Sequence, residues 1–277
     1  YGGINWSNLI SFSVNGIYYH NSGFLALPML LTWYINGTMQ FAQTYSVNEA
    51  SSLEISDSGT LTHRANDNTQ LYVINLTLTN LTVEGMINVS SKGYSGGDTS
   101  RSRPGSNGEG PGAGLGNTAI DDGYGGGGAA YGGDGGDGQS NSASGGSAYG
   151  NMVQPIQLGS GAGSGDLSPG GEGGGLLILN ITDTLMVEGG IYSDGQAGKT
   201  GDSSQGSGGG SGGGIYIITD TVSGSGSITA DGGNGYDNTQ DGGAGAGGRI
   251  ALYYSSDTYT GIISAIGGSA PINSGGD

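Results

Sequence analysis

The chain contains no cysteine, which removes disulfide scaffolds, thiolate metal sites and cysteine nucleophiles together. Basic residues are nearly as scarce: six Lys and Arg face 23 Asp and Glu, a formal net charge of −17. Nucleic acid requires a basic footprint, so this balance argues against it as a partner. It argues equally against anionic lipid held through a basic face. The longest apolar run, residues 24–35, is too short to cross a bilayer and is broken by Pro28. No stretch keeps a helical period. The expectation is an acidic chain with no membrane span.

Glycine is what the chain has in excess, 65 of 277 residues, where about 7% is usual. Most of it lies between Gly93 and Gly175 and in the repeats that follow. Three units share one grammar: Gly173-Gly-Gly-Leu-Leu-Ile-Leu179, Gly212-Gly-Gly-Ile-Tyr-Ile-Ile218 and Gly247-Gly-Arg-Ile-Ala-Leu-Tyr253. In each, a glycine spacer leads to an apolar strand, a polar turn, a second strand and glycine again. Val83-Glu-Gly85 and Val187-Glu-Gly189 align the copies, and Leu176, Ile215 and Ile250 are 39 and 35 residues apart. Such periods belong to solenoids and propellers. Two strands per repeat are too few for a propeller blade.

These features predict an all-β chain, a right-handed parallel β-solenoid or β-helix-like stack with ordered glycine-rich excursions. A two-sheet β-sandwich of hairpins is the alternative. Each rung buries its apolar face only by stacking on the next. The repeat domain is expected over 51–277, with a glycine-rich insertion at 93–175 in which only Met152–Ile156 reads as a strand. Excursions 195–214 and 232–248 leave from the equivalent place, so the excursions should stack on one another. Three-fold extended helices related to polyproline II would satisfy their backbone groups. Residues 1–50 predict two β-hairpins, turned at Asn15-Gly16 and Asn36-Gly37 between alternating runs, whose strands are available for pairing between subunits.

The repeats at 208–217, 226–235 and 245–252 resemble glycine-rich repeats of large microbial surface proteins and phage-type adhesins. The resemblance covers about residues 165–270 and extends to residues 51–95, and it implies surface display, adhesion or fibre formation. It brings no catalytic residues.

Six Asn-x-Ser/Thr sequons, at Asn5, Asn36, Asn75, Asn80, Asn88 and Asn180, predict a secreted glycoprotein. The opening on Tyr1 fits removal of a signal peptide, or a trimmed chain. Two Gly-Gly-x-Gly-x-Asp stretches, at 132–137 and 232–237, match the start of a calcium-binding nonapeptide. The apolar residue expected next is Gln139 or Thr239, and the copies are not tandem. Calcium is the one candidate ion, with Asp231, Asp237 and Asp241 its best local set and no other cofactor expected.

Signs of catalysis are weak. Ser211 sits in a formal nucleophile elbow, but glycine runs generate that match and no helix follows. His20 and His63 have no metal-ligand spacing. Asp121 and Asp122 would need a third carboxylate in a cleft to serve a glycosidase. Tyr94, Tyr124, Tyr131 and Tyr149 read either as sugar-stacking platforms or as anchors pinning glycine layers. The expectation is a non-enzymatic structural or adhesive protein of the extracellular space or cell surface. It would assemble head to tail with itself and contact surface polysaccharide or another cell. A carbohydrate-active β-helix enzyme, hydrolase or lyase, is the alternative.

Overall fold

The computed structural model describes residues 11–14, 17–20, 32–41, 45–48, 52–98, 105–117, 125–139, 143–199 and 205–270. Every described strand pair is parallel, and the described residues contain no α-helix. The described residues pass seven times along the same course. The first two coils hold β1 (Ser11–Val14) with β2 (Ile17–His20) and β3 (Thr32–Ile35) with β4 (Thr38–Phe41). The third holds β5 (Tyr45–Asn48), β6 (Ser52–Ile55) and β7 (Thr60–His63), and the fourth β8 (Ile74–Leu78), β9 (Asn80–Val83) and β10 (Met86–Asn88). Then come β11 (Leu176–Val187) with β12 (Gly190–Tyr192), and β13 (Gly214–Gly224) with β14 (Ser227–Thr229). The last coil is β15 (Arg249–Tyr253), β16 (Ser256–Tyr259) and β17 (Ile262–Ser264). The leading strands of each coil form a ten-stranded sheet, and β2, β4, β7, β10, β12, β14 and β17 form a seven-stranded one.

Alternation selects the buried face. Leu53 and Ile55 of β6 point inward while Ser52 and Glu54 do not, and β8 alternates the same way from Ile74 to Leu78. Register then stacks like on like: Leu61, Ile87, Ile191 and Ile228 follow one another across four coils, each at most 1% exposed. One apolar core therefore runs the length of the stack between the two sheets. The corner between the sheets is glycine for a steric reason. A Cβ on Gly85 would stand 2.2 Å from Ser56 O and 2.3 Å from Gly59 O of the preceding coil. This is the cause of the repeated Val-Glu-Gly.

Asn36-Gly37 does turn the chain, but its flanking strands do not pair with each other. β3 pairs with β1 and β6, and β4 with β2 and β7, all in parallel. The turn is a corner between sheets, held against the next coil by Thr60 N–H donating to Gly37 O at 2.9 Å. Ile17–His20 likewise belongs to the other sheet from Ser11–Val14. Period-two alternation reports a half-buried strand and is blind to its partner's direction. Strands on either side of residue 50 thus share both sheets. Met152–Ile156 is not a strand: Pro155 lacks an amide, and the segment crosses the first sheet, where Val153 O accepts from the Tyr253 hydroxyl at 2.7 Å.

Between β10 and β11 the chain leaves the stack, and it leaves again after β12 and after β14. These excursions form a second body of extended runs alongside the coils. Its hydrogen bonds repeat every three residues. Amides of Gly159, Ala162 and Gly165 donate to the carbonyls of Gly174, Gly171 and Ser168, at 2.9 Å each. Gly161 and Ser164 donate to Glu109 and Ser106, and Gly163 turns to Gly127. Gly206, Gly209 and Gly212 donate to Gln240, Gly243 and Ala246, while Gly210 and Gly213 donate to Gln196 and Ser193. A run that addresses different neighbours in a three-residue cycle is a three-fold extended helix of the polyproline II kind, which makes no bonds within itself. Packed in parallel and antiparallel neighbours, such helices satisfy the amides that an ordered glycine chain would otherwise strand. At Gly163 the spacing admits only hydrogen: a Cβ there would lie 1.8 Å from Leu115 O.

Candidate functional site: the glycine layer and its far end

Two side-chain clusters fasten the layer to the coils. Val73, Leu158 and Leu176 form a small separate core with Tyr94 and Ile178 packed against it. Beside it Tyr131 and Tyr149 meet with ring centroids 4.7 Å apart, and the Arg249 guanidinium lies 5.5 Å from the Tyr131 ring centroid. Arg249 donates to Tyr149 O at 2.9 and 3.1 Å and to Tyr131 O at 3.2 Å. Burial pushes the Tyr131 phenol up to about 12 and drives Tyr149 upward as well. The Tyr149 hydroxyl donates to Leu158 O and accepts from Ser160 Oγ. Tyr131 and Tyr149 are thus anchors of the layer, and Tyr124 lies outside the described residues. Sequence reasoning missed Arg249, although one arginine closing a glycine run in a chain with six basic residues was its signal.

His63 is fully buried. Its Nδ1 bonds Arg64 O at 2.7 Å, and its Nε2 accepts from Leu176 N at 3.4 Å, where the chain re-enters the stack. Desolvation, with a smaller contribution from Lys92, lowers its pKa from 6.5 to about 4. The unfolded chain therefore binds the extra proton more readily, so stability is complete above pH 6.5 and is lost as pH falls toward 4. Between pH 7 and pH 5 the expected loss is about 2 kcal/mol. Urea melts at the two pH values check this, and His63→Gln should flatten the difference.

At the end of the layer far from the coils, the described run ends converge. Asn117 N–H donates to Ser164 O at 3.1 Å, Gly126 N–H to Gly206 O at 3.0 Å and Gln139 N–H to Asp241 O at 2.9 Å. Ser168 Oγ donates to Gln205 O at 2.7 Å, and Gln205 bridges Gln240. Leu167, in the tight turn beside it, takes a left-handed backbone with φ of 60°, a conformation that costs a leucine energy. Asp237 and Thr239 project exposed from this end. On the side of the layer a concavity of about 520 Å³ is lined by Asp67, Asp98, Glu109 and Glu172 among others, with Lys199 Nζ 4.0 Å from Glu172.

The sequence-predicted calcium set is not brought together. Asp231 Oδ1 accepts from Ser264 Oγ at 2.6 Å and Ile266 N–H at 2.9 Å, bracketing coil six to coil seven. Asp194 does the same one coil earlier, accepting from Thr229 Oγ1 and Asp231 N–H. Asp241 is buried at the far end and accepts from Asn238 N–H. Among the described residues no three His, Cys, Asp or Glu side chains are grouped to hold a metal ion. Ser211 is buried in a glycine run, its Oγ accepting from Ser160 N–H. No strand-to-helix elbow surrounds it. Asn5, Asp121 and Asp122 lie outside the described residues, as does the His20 side chain. Of the other sequons, Asn36 is at a corner, Asn75 and Asn180 are on the ten-stranded sheet, Asn80 opens β9 and Asn88 closes β10. No described helix is long and apolar enough to cross a membrane.

In comparisons with protein-family models, curated proteins and solved structures, nothing matches the chain.

Proposed function

We propose that this is a non-catalytic protein of the extracellular surface, a right-handed parallel β-solenoid whose glycine layer presents a contact face at its far end. The observation that carries this reading is the convergence of the described run ends, held by backbone hydrogen bonds together with side-chain bonds of Ser168, Gln139 and Asp241. Glycine helices locked on several sides give turn residues a rigid base, and contact residues on a rigid base lose less entropy on binding. The ligand class is surface polysaccharide or another cell, which Asp237, Asn238 and Thr239 can meet through hydrogen bonds without cationic help.

Assembly head to tail belongs to the same reading. In the last described coil Ile263 continues the buried Ile191–Ile228 column yet is 49% exposed among the described residues, and β2 of another copy could extend the β17 edge. The other corner is blunted, because Asp257 occupies the register position of Val222.

The test is adhesion of fluorescent beads coated with the protein to cells or polysaccharide from its source. Replacing Asp237, Asn238 and Thr239 together by alanine should lower bead retention about tenfold while leaving the melting temperature unchanged. Retention unaffected by that change removes the far end as the contact face. Release of soluble sugar by the protein would replace the whole reading with the enzymatic one, seated in the carboxylate-lined concavity.

A further inference from the structure

We infer that Asn180 carries an N-linked glycan that lies over an exposed apolar column of the ten-stranded sheet; this rests on the extracellular reading above. The described sequon asparagines differ in what their side chains already do. Asn80 is committed, its Nδ2 donating to Ser52 Oγ at 3.3 Å and its Oδ1 accepting from Thr184 N–H at 3.3 Å. Asn88 Oδ1 accepts from Ser90 N–H at 2.9 Å, closing a local turn through its own sequon serine. Asn36 and Asn75 are half-buried. Asn180 alone among them is exposed, and its carboxamide makes no hydrogen bond to the described residues.

Its sequon is also presented by an irregularity. The register of β11 against β13 shifts between Ile181 and Thr184, so Thr182 and Asp183 have no partner in that ladder; both are exposed, with Thr182 Oγ1 donating to Leu78 O at 3.4 Å and Asp183 N–H to Thr79 O at 3.0 Å in the preceding coil. Ile181 points into the core at 1% exposure, which aims Asn180 and Thr182 outward on either side of it.

The neighbours of Asn180 supply the second half of the inference. Its register partners run Thr77, Asn180, Ile218 and Tyr253 in successive coils. Ile218 is 40% and Tyr253 44% exposed. Tyr253 is held in place by its hydroxyl bond to Val153 O and an edge contact to Tyr216 with centroids 6.0 Å apart. Successive strands lie about 4.8 Å apart, so the Tyr253 Cα, two strands on, is about 10 Å from the Asn180 Cα. The first two sugars of a glycan span that distance, and the apolar face of a pyranose stacks on a tyrosine ring.

The chemistry is a transfer in trans from an oligosaccharide linked through its anomeric carbon to a polyprenyl phosphate or diphosphate. The Asn180 Nδ2–C1 bond forms as the C1–O bond to the carrier breaks. The carrier leaves as the lipid phosphate or diphosphate from which it started, the amide proton passes to the transferase base, and nothing is oxidised or reduced.

Protein isolated from its source tests this by proteolysis and mass spectrometry of the peptide containing Asn180. A hexose or N-acetylhexosamine series on Asn180, with Asn80 bare, is the expected result. Asn180 bare in every molecule overturns the inference, and if that protein still adheres through its far end, the reading of its function stands. Asn180→Gln, secreted from the same source, should lose one glycan and bind an apolar dye severalfold more strongly. Loss of the glycan with unchanged dye binding would overturn the shielding of Ile218 and Tyr253.

Discussion

Gly163→Ala should cost about 3 to 5 kcal/mol. The added methyl would sit 1.8 Å from Leu115 O and 2.3 Å from Leu115 C, and both are backbone atoms that no rotamer change can move. Leu115 O already accepts from Gly127 N–H at 2.9 Å, and Gly163 itself donates to Gly127 O and accepts from Gly208 N–H. Separating the runs enough to admit the methyl breaks bonds on more than one side. Overpacking contributes about 1 to 3 kcal/mol, and each buried backbone group left unpaired adds about 1 to 3 more. Gly133→Ala is the control, because a Cβ there meets nothing within 4 Å; its stability should stay within about 0.5 kcal/mol of the parent. Chemical denaturation of both variants checks the pair. Equal costs would mean that glycine is abundant in the layer for some reason other than close approach.

Ile191→Ala should cost about 4 kcal/mol, since it opens a cavity in the middle of the stack with coils on either side unable to close on it. Ile191 is fully buried, and its column neighbours Ile87 and Ile228 are too. The same truncation at Ile263, 49% exposed at the last coil, should cost less than about 1 kcal/mol, because little apolar area is withdrawn from water there. The ratio of the two costs reports stacking directly. A sandwich of hairpins would impose no such gradient along one column.

How much of this was legible in the sequence depended on whether a local signal had one structural meaning. Leu176–Leu179, Ile215–Ile218 and Ile250–Tyr253 named their strands because alternation and branching suffice for that, and all three pair in the expected order. Val-Glu-Gly gave the coil alignment, and its cause is the close approach at Gly85. Asn36-Gly37 misled because the same dipeptide serves a hairpin and a corner, and only the distant partners of β3 and β4 decide between them. Asp231 matched a calcium motif, yet its carboxylate is used by Ser264 and Ile266, more than thirty residues away in sequence. The lock of Arg249 on Tyr131 and Tyr149 spans about a hundred residues and left only a faint local mark.

The central claim is that the glycine block is a hydrogen-bonded layer and not a linker. Amide hydrogen exchange of the native protein, read on peptides covering 159–165, 206–213 and 243–248, tests it most directly. Protection comparable to that of β11 and β13, lasting hours at neutral pH, is the result predicted by the backbone bonds of Gly163, Gly209 and Ala246. Exchange of those amides within seconds, while the β strands stay protected, would contradict it.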